Sequence, residues 1–294
     1  MSKIDDLKLL TLSHAHQLQT ITPIARIEIM KLEQPTTLQP VIYEPVVCLV
    51  LQGGKRAVIG DRVLHYTAGD YFVAAAEVAA MGQITEATPD RPFLAVNLLL
   101  DPYVITKVLL DAPKGKEPAK PAGFVATSAD DQMLDAWRRM VSLLDRPDEM
   151  AVLSPMIERE ILFRLLQGPS GFLLRQLTGS ENRLSSIRKA MSWIRAHFAE
   201  PIRVEELAAI AGMSPSVFHK HFKAVTALSP IQYQKQIRLH EARSRLAQAP
   251  ADAAGVAFSI GYESASQFSR EYKRLFGLSP ARDARQLQAM NSTR

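Results

Sequence analysis

Residues 261–280 read GYESASQFSREYKRLFGLSP, and this stretch decides the fold of the C-terminal part of the chain. Phe268 and Tyr272 are four positions apart, which places them on one face of a helix and leaves basic side chains on the other. A short apolar stretch ending at Ile260 comes directly before Gly261, a residue type that commonly ends helices. A helix, a tight turn with glycine and a second helix with a basic face form the layout of a helix-turn-helix motif.

The same pattern occurs about 50 residues earlier. Leu207, Ala208 and Ala211 make an apolar helical face that ends at Gly212, and the following Ser-Pro pair is a suitable helix start. Six residues of the first copy match six of the second: Phe218, Phe222, Lys223, Leu228, Ser229 and Pro230 correspond to Phe268, Tyr272, Lys273, Leu278, Ser279 and Pro280. The second copy has a turn that is one residue longer. The sequence therefore predicts two helix-turn-helix motifs, at about 204–225 and 254–276.

A long helix is predicted between the two motifs, from Ser229-Pro230 to about Ala247. Its 19 or so residues would span about 28 Å at 1.5 Å per residue. Two reading helices held by it could enter successive major grooves, which are about 34 Å apart. The alternative is a helical bundle whose basic faces are only solvated.

Charge is unevenly distributed along the 294 residues, whose formal net charge is +5. From Arg183 to the end there are 17 Lys and Arg and eight Asp and Glu, a net +9, so the preceding residues carry −4. Such asymmetry indicates a segment that binds a polyanion, joined to something else. On charge alone, an ordinary basic domain explains it equally well.

The N-terminal half has the pattern of strands. Residues 20–100 contain short apolar runs separated by Gly and Asp turns at about ten-residue intervals, which is typical of a sandwich or barrel. After about Thr127 apolar residues follow helical spacing, and a second helix is predicted at 155–166. We therefore expect an α+β protein, with a β-barrel domain and trailing helices at 1–180 and an all-α domain with two helix-turn-helix motifs at 181–294.

Composition excludes several classes of protein. No window approaches 18 uninterrupted apolar residues, and Asp5 and Asp6 stand where a signal peptide needs basic residues. The single cysteine, Cys48, allows neither an intrachain disulfide nor a zinc site with two cysteine ligands, and its apolar run indicates a core residue. We expect a cytoplasmic protein with no membrane segment.

Motifs of catalysis are absent from the sequence. There is no G-x-S-x-G, no Gly-rich phosphate loop and no H-E-x-x-H. The N-terminal half has three histidines (His14, His16 and His65) in no metal-binding pattern. We expect no metal, no cofactor and no enzyme activity, although a small barrel can enclose one ligand.

The chain resembles the AraC/XylS family of bacterial transcription regulators. The resemblance rests on Gly261-Tyr262-Glu263-Ser264, Gln267-Phe268-Ser269-Arg270 and the run 272–280, within a matching block from about 187 to 285. The run 44–53, EPVVCLVLQG, resembles the N-terminal domain of AraC-type proteins over a shorter and less specific match. The resemblance implies a cupin-like barrel with trailing helices, used for effector sensing or dimerisation.

Family members contact base edges from the exposed starts of the two reading helices. By position, the resemblance implies six base-edge candidates: Ser216, His219, Lys220, Ser266, Gln267 and Arg270. Arginine can read guanine and glutamine can read adenine, whereas His219 departs from the long amide or basic residue common at its position. Candidates for phosphate contact, with a helix cap or plain surface as the alternative role, are Ser214, Lys223, Ser264, Lys273 and Arg274. Tyr43, Tyr71, Phe72 and Phe93 are candidates for an effector pocket, with a role in the core as the alternative.

The sequence therefore predicts a sequence-specific DNA-binding transcription regulator. Its partners would be double-stranded promoter DNA, a small-molecule effector in the barrel, a second copy of the chain and, for an activator, RNA polymerase. One alternative is a constitutive DNA-binding regulator whose barrel only dimerises. Another is an enzyme or metal-binding barrel fused to a DNA-binding domain.

Overall fold

The computed structural model describes residues 2–60, 62–75, 78–112, 124–178, 183–226, 228–248 and 253–292. The chain forms two compact units, Met1–Ser185 and Ser186–Arg294. The predicted domain boundary between 180 and 181 lies outside the described residues and stays a prediction. The α+β class is confirmed, because the described strands all come before residue 129 and the following elements are helices.

The strands of the N-terminal unit form two antiparallel sheets. Those described are β1 (Gln19–Ile21), β2 (Ile27–Leu32), β3 (Gln39–Tyr43), β4 (Val46–Gln52), β5 (Gly54–Ile59), β6 (Arg62–Thr67), β7 (Asp70–Ala74), β8 (Val78–Glu86), β9 (Phe93–Leu99) and β10 (Phe124–Ser128). The large sheet has the order β1-β2-β9-β4-β7-β10, and the small sheet has the order β3-β8-β5-β6. Two packed sheets of this kind make the expected double-sheet barrel.

The register of the large sheet shows which residues face the small sheet. Cys48 pairs with Phe72 on one side and with Asn97 on the other. Paired residues point to the same face, and the Phe72 ring lies 5.7 Å from the Tyr66 ring and 4.9 Å from the Tyr43 ring, both in the small sheet. Cys48, Phe72 and Asn97 therefore lie on the inner face of the barrel.

Helices precede and follow the strands of this unit. They are α1 (Lys3–Ser13), α2 (Pro102–Asp111), α3 (Asp131–Ser142), α4 (Pro147–Gln167) and α5 (Gly171–Thr178), with a 3₁₀ turn at Leu143–Asp145. The helix predicted to begin at Pro155 begins two turns earlier, so that start was wrong. Pro147 occupies its first turn, and Pro155 lies inside the helix, where burial of Ile161 and Leu165 offsets the lost backbone bond.

The C-terminal unit is helical throughout its described residues. Its elements are α6 (Arg183–Ala196), α7 (Val204–Ile210), α8 (Pro215–Thr226), α9 (Pro230–Gln248), α10 (Ala253–Ser259), α11 (Ala265–Phe276) and α12 (Pro280–Ser292). The pairs α7/α8 and α10/α11 are the two helix-turn-helix motifs, and α9 is the long helix between them. The predicted two-motif fold is confirmed.

Each motif has its own buried aromatic cluster. In the first, the Phe222 ring lies 5.3 Å from Phe218 and 5.5 Å from Tyr233 of α9. In the second, the Phe268 and Tyr272 rings lie 5.4 Å apart among buried residues that include Leu246 of α9. Since α9 contributes to both clusters, it is the common support of the two motifs.

Membrane-spanning helices and metal-binding clusters are both absent from the described residues. No helix there combines the length and the apolar character needed to cross a membrane. No three His, Cys, Asp or Glu side chains of that part of the chain are grouped to hold a metal ion. Cys48 is buried, as expected for a core residue, and burial raises its pKa.

A buried ion pair ties the start of β2 to helix α4. Arg26 donates from Nε to Glu158 Oε1 at 3.1 Å and from a terminal nitrogen to Oε2 at 2.5 Å. The Glu158 side chain is only 6% exposed, whereas Glu149, which pairs with Arg146 at 2.7 Å on the surface, is 43% exposed. The two pairs differ in burial, and the buried pair has two hydrogen bonds whereas the exposed pair has one.

Replacing Arg26 with methionine is expected to lower the free energy of unfolding by about 2–3 kcal/mol, because the Glu158 charge would stay buried without its partner. The matched change Arg146→Met is expected to cost less than about 0.5 kcal/mol, because its pair is solvated. Urea denaturation of the full chain measures both. Equal losses would show that burial does not control the strength of these pairs.

Candidate nucleic-acid interface

The six predicted base-edge residues lie on the exposed sides of α8 and α11. In α8, Phe218 and Phe222 turn inward, and this leaves Ser216, His219 and Lys220 exposed in the first two turns. In α11, Phe268 and Tyr272 turn inward in the same way, and Ser266, Gln267 and Arg270 are exposed. Both helices therefore present a short polar row from their N-terminal halves, which is the end that enters a major groove.

The predicted phosphate contacts surround these two rows. Ser214, Lys223, Lys273 and Arg274 are exposed, and Ser264 is half-buried. Ser264 is the N-cap of α11, where its hydroxyl oxygen accepts from the Gln267 backbone N–H at 3.3 Å. The Ser264 hydroxyl proton stays available to a phosphate oxygen, so capping and phosphate contact are compatible.

Glu271 is bonded to three side chains beside the exposed polar row of α11. Its Oε1 accepts from Lys235 Nζ at 2.8 Å and from Gln267 Nε2 at 3.2 Å, and its Oε2 accepts from the Tyr262 hydroxyl at 2.8 Å. Burial would raise the pKa of Glu271, but these bonds outweigh burial and hold that pKa below its usual value. The acid is therefore ionised and neutralised within the protein, and Gln267 is held at one end.

These bonds of Glu271 were not predicted from the sequence. The spacing of Gln267 and Glu271, four positions apart on one helix, was the available signal. Gln267, Arg270, Glu271 and Arg274 line one open groove. Because Lys235 lies 36 positions earlier, in α9, its part in the site had no signal in the sequence.

Arg238 of α9 joins the second motif to the segment before the first. It donates to the Phe198 carbonyl at 2.6 Å, to the Glu200 carbonyl at 3.0 Å and to the Gly261 carbonyl at 2.8 Å. Gln234 adds bonds to the same Phe198 and Glu200 carbonyls, at 3.0 and 2.6 Å. These bonds satisfy carbonyls that follow a helix end and have no helical partner.

A buried carboxylate holds α12 against α9 and α11. Asp283 accepts from Arg243 at 2.9 Å and from the Tyr272 hydroxyl at 2.7 Å. Burial and the bond to Asp283 together raise the pKa of Tyr272, so its hydroxyl stays a donor. The back of α11 is thus fixed by a polar contact as well as by its aromatic cluster.

The four candidates for an effector pocket do not all face the interior of the barrel. Tyr43 and Phe72 are in contact on the inner face of the barrel, and the register puts the buried Phe93 on the same face as Asn97. Tyr71 is next to Phe72 in β7, so its side chain points to the opposite face of the sheet, where it is hydrogen-bonded to Ser170 beyond α4. The structure therefore brings Tyr43 and Phe72 together and separates Tyr71 from them.

Comparison with family models matches both units of the chain. Residues 23–172 match the model described as the AraC-type transcriptional regulator N-terminus. Residues 207–286 match a helix-turn-helix domain. The first match alone covers half of the chain.

Curated relatives include the HTH-type transcriptional activator RhaS from two bacteria. The protein from Escherichia fergusonii is 32% identical over 160 residues, and that from Salmonella schwarzengrund is 31% identical over 157. The matches cover 53% and 52% of this chain and 56% and 55% of the relatives. The chain therefore spans about half the length of these curated relatives.

Solved structures of ToxT from Vibrio cholerae share the fold. An apo form has a TM-score of 0.59 at 10% identity, over 89% of this chain and 97% of that chain. A form bound to an unsaturated fatty acid has a TM-score of 0.57 at 11% identity, over 88% and 93%. At this identity the likeness concerns the fold alone.

A double-sheet barrel joined to two helix-turn-helix motifs on one long helix defines the class of this protein. The family models place it within that class. The chain belongs to the AraC-type transcriptional regulators.

The two turn glycines provide a matched pair of substitutions. Gly261 has φ +86°, and an added Cβ would lie 2.0 Å from the Ala199 carbonyl oxygen, whereas Gly212 has φ +63° and nothing within 4 Å. Gly212→Ala is expected to destabilise by about 1–2 kcal/mol, the cost of a left-handed L-residue. Gly261→Ala adds a backbone clash that costs about 1–3 kcal/mol, so it should lower the free energy of unfolding clearly more than Gly212→Ala does. Urea denaturation checks the order, and equal losses would contradict the close approach to Ala199.

Proposed function

We propose that this protein is a sequence-specific DNA-binding regulator of transcription, and that α8 and α11 read the bases. The observation that carries the proposal is the pair of exposed polar rows on two equivalent helices of one basic unit. Six side chains are proposed to reach base edges: Ser216, His219, Lys220, Ser266, Gln267 and Arg270. Double-stranded promoter DNA is the proposed partner, and the bacterial cytoplasm is the proposed location.

The proposed role of the N-terminal unit is to bind a small effector and so change the affinity for DNA. The barrel fold shared with ToxT, one form of which holds a fatty acid, supports this role. A homodimer is proposed, because a second copy would double the number of motifs on DNA. The relatives named as activators favour activation, with RNA polymerase as a further partner.

A mobility-shift assay on DNA upstream of its own and neighbouring genes tests the proposal. We expect a shift that depends on sequence and weakens steeply with salt, because a basic unit displaces counterions from phosphates. Absence of such a shift, or a shift of equal strength on unrelated DNA, would overturn it. If a small molecule changes the shift, the barrel senses an effector and does not serve only for dimerisation.

Arg270→Ala is expected to weaken operator binding by about 1–3 kcal/mol and to relax the base preference at one position, because arginine reads guanine through two bonds. The phosphate candidate Lys273, changed to alanine, should instead weaken binding about equally on all sequences. Quantitative shifts on operators randomised one position at a time measure both effects. The control is Arg91→Ala, since Arg91 is an exposed arginine of the other unit. A uniform loss for Arg270→Ala would make Arg270 a phosphate contact.

Glu271 is proposed to fix the amide of Gln267 for base reading. One Nε2 proton of Gln267 goes to Glu271, and this leaves the other proton and Oε1 to form the two bonds that select adenine. We expect Glu271→Ala to reduce the base preference at the Gln267 position, because the freed side chain has more rotamers. Site selection from a randomised operator measures this preference.

Two further variants separate positioning from simple loss of stability. Lys235→Met keeps the bond between Gln267 and Glu271, so it should retain the base preference. The double variant of Gln267→Ala with Glu271→Ala should lose no more preference than Gln267→Ala alone, since the two residues act as one unit. Full preference in Glu271→Ala, combined with its loss in Gln267→Ala, would show that Glu271 does not position the amide.

A further inference from the structure

Lys55 is a buried cation without an ion pair. The residue is 8% exposed, and its ammonium forms no salt bridge to any carboxylate among the residues that the structure describes. The other two buried charges of that part of the chain, Glu158 and Asp283, both pair with arginine. A buried charge is costly unless it is paired, so Lys55 is an exception that needs a reason.

The surroundings of Lys55 lie on the inner face of the barrel. Lys55 pairs with Tyr66 across β5 and β6, so both side chains share one face of the small sheet. The Tyr66 ring stacks on Phe72 of the large sheet, and the Lys55 ammonium lies 5.0 Å from the centre of the Tyr43 ring. The hydroxyls of Tyr43 and Tyr66 are 3.4 Å apart.

The groups beside Lys55 do not neutralise its charge. Burial raises the pKa of Tyr66 and that of Cys48, so the Tyr66 phenol and the Cys48 thiol are both neutral at pH 7. Burial lowers the pKa of Lys55, whereas its hydrogen bond to the Tyr43 side chain raises it. The ammonium therefore has a hydrogen-bond partner on this face but no carboxylate partner among the described residues.

Asn97 has an unsatisfied side-chain oxygen on the same face. It is 8% exposed, and its Oδ1 atom has no hydrogen-bond partner among the described residues. Asn97 pairs with Cys48, which pairs with Phe72, so its side chain points to the same interior as Lys55. An acceptor left unsatisfied in the interior carries its full desolvation cost.

Short side chains occupy the inner positions around these groups. Alternation along the strands places the residues two positions from Lys55, Phe72 and Asn97 on the same face. By this alternation and the cross-strand pairs, the inner positions include Ala57, Ala74, Gly82 and Ala95. Alanine and glycine are smaller than the branched residues usual in small barrels, although Gly82 is closely covered, since an added Cβ would lie 3.1 Å from Val41 Cγ1.

We propose that the barrel interior binds a small monocarboxylic acid that also carries a hydroxyl or amino group. Its carboxylate would pair with the Lys55 ammonium and accept from the Tyr66 hydroxyl, and its hydroxyl or amino group would donate to Asn97 Oδ1. A single buried ammonium balances one negative charge, which favours a carboxylate over a phosphate dianion. The proposal rests on the proposed effector role of the barrel and names the chemical class of that effector.

Thermal unfolding of the full chain tests the proposal without DNA. The probes are glycolate, lactate, salicylate and 4-hydroxybenzoate, each compared with its neutral amide. We expect at least one acid, at about 100 times its Kd, to raise Tm by about 5 °C or more, and its amide to have no effect. The Lys55→Met variant should lose this response, while its own Tm without ligand stays equal or rises because an unpaired charge has been removed.

Two further variants test whether the response depends on Lys55 and Asn97 in particular. Lys107→Met, at an exposed lysine of the same unit, should respond to the acid as the unchanged protein does. Asn97→Ala should weaken binding of the hydroxy acid at least tenfold and leave binding of its counterpart without the hydroxyl (acetate, propionate or benzoate) unchanged. Equal stabilisation by acid and amide, no stabilisation by any acid, or an undiminished response in Lys55→Met would overturn the proposal. DNA binding measured on the same variants shows separately whether the proposed regulatory function stands.

Discussion

The bonds of Arg238 to three backbone carbonyls are the constraint on which the basic unit depends. One guanidinium reaches Phe198 and Glu200 before the first motif and Gly261 in the turn of the second. Five donors in a fixed planar fork suit this task, and a lysine ammonium would lack that geometry. The position of α11 relative to the start of the unit follows from these bonds, because Gly261 opens the turn that leads into α11.

Two acidic side chains that contact the helix-turn-helix elements, Glu271 and Asp283, serve the internal structure of this unit. Glu271 is bonded by Lys235, Tyr262 and Gln267, and Asp283 by Arg243 and Tyr272. Because both carboxylates are neutralised in this way, they do not cancel the charges of the exposed Arg270, Lys273 and Arg274 on α11. The exposed face of α11 is therefore basic, although the chain as a whole is only weakly so.

Much of the fold was predictable from the sequence because its signals are local. The aromatic spacing of Phe268 and Tyr272, repeated at Phe218 and Phe222, was enough to predict both motifs and the long helix between them. The strands β4 and β9 were apparent as continuous apolar runs. Helix α1 was missed, because its apolar residues define no sharp face, and α4 was shortened because Pro155 was interpreted as a helix start.

The site itself was predictable only in part. Exposure of the six base-edge candidates follows from helical periodicity, and the structure places all six on the exposed sides as the pattern requires. Contacts between residues 36 to 40 positions apart, such as Lys235 with Glu271 and Arg238 with Phe198, depend on tertiary packing and have no local signal. The separation of Tyr71 from Tyr43 and Phe72 likewise required the strand register, which a run of aromatic residues does not specify.

The separate aromatic clusters of the two motifs have a consequence for how the basic unit opens. Local unfolding proceeds in cooperative units that coincide with supersecondary motifs, and here each motif closes over its own cluster against a different part of α9. Amide protons of α8 and α11 should then exchange with solvent through different openings and at different rates. An opening that releases α8 would leave α11 folded, and an opening that releases α11 would leave α8 folded, so that one of the two polar rows would stay in place whenever the other is lost.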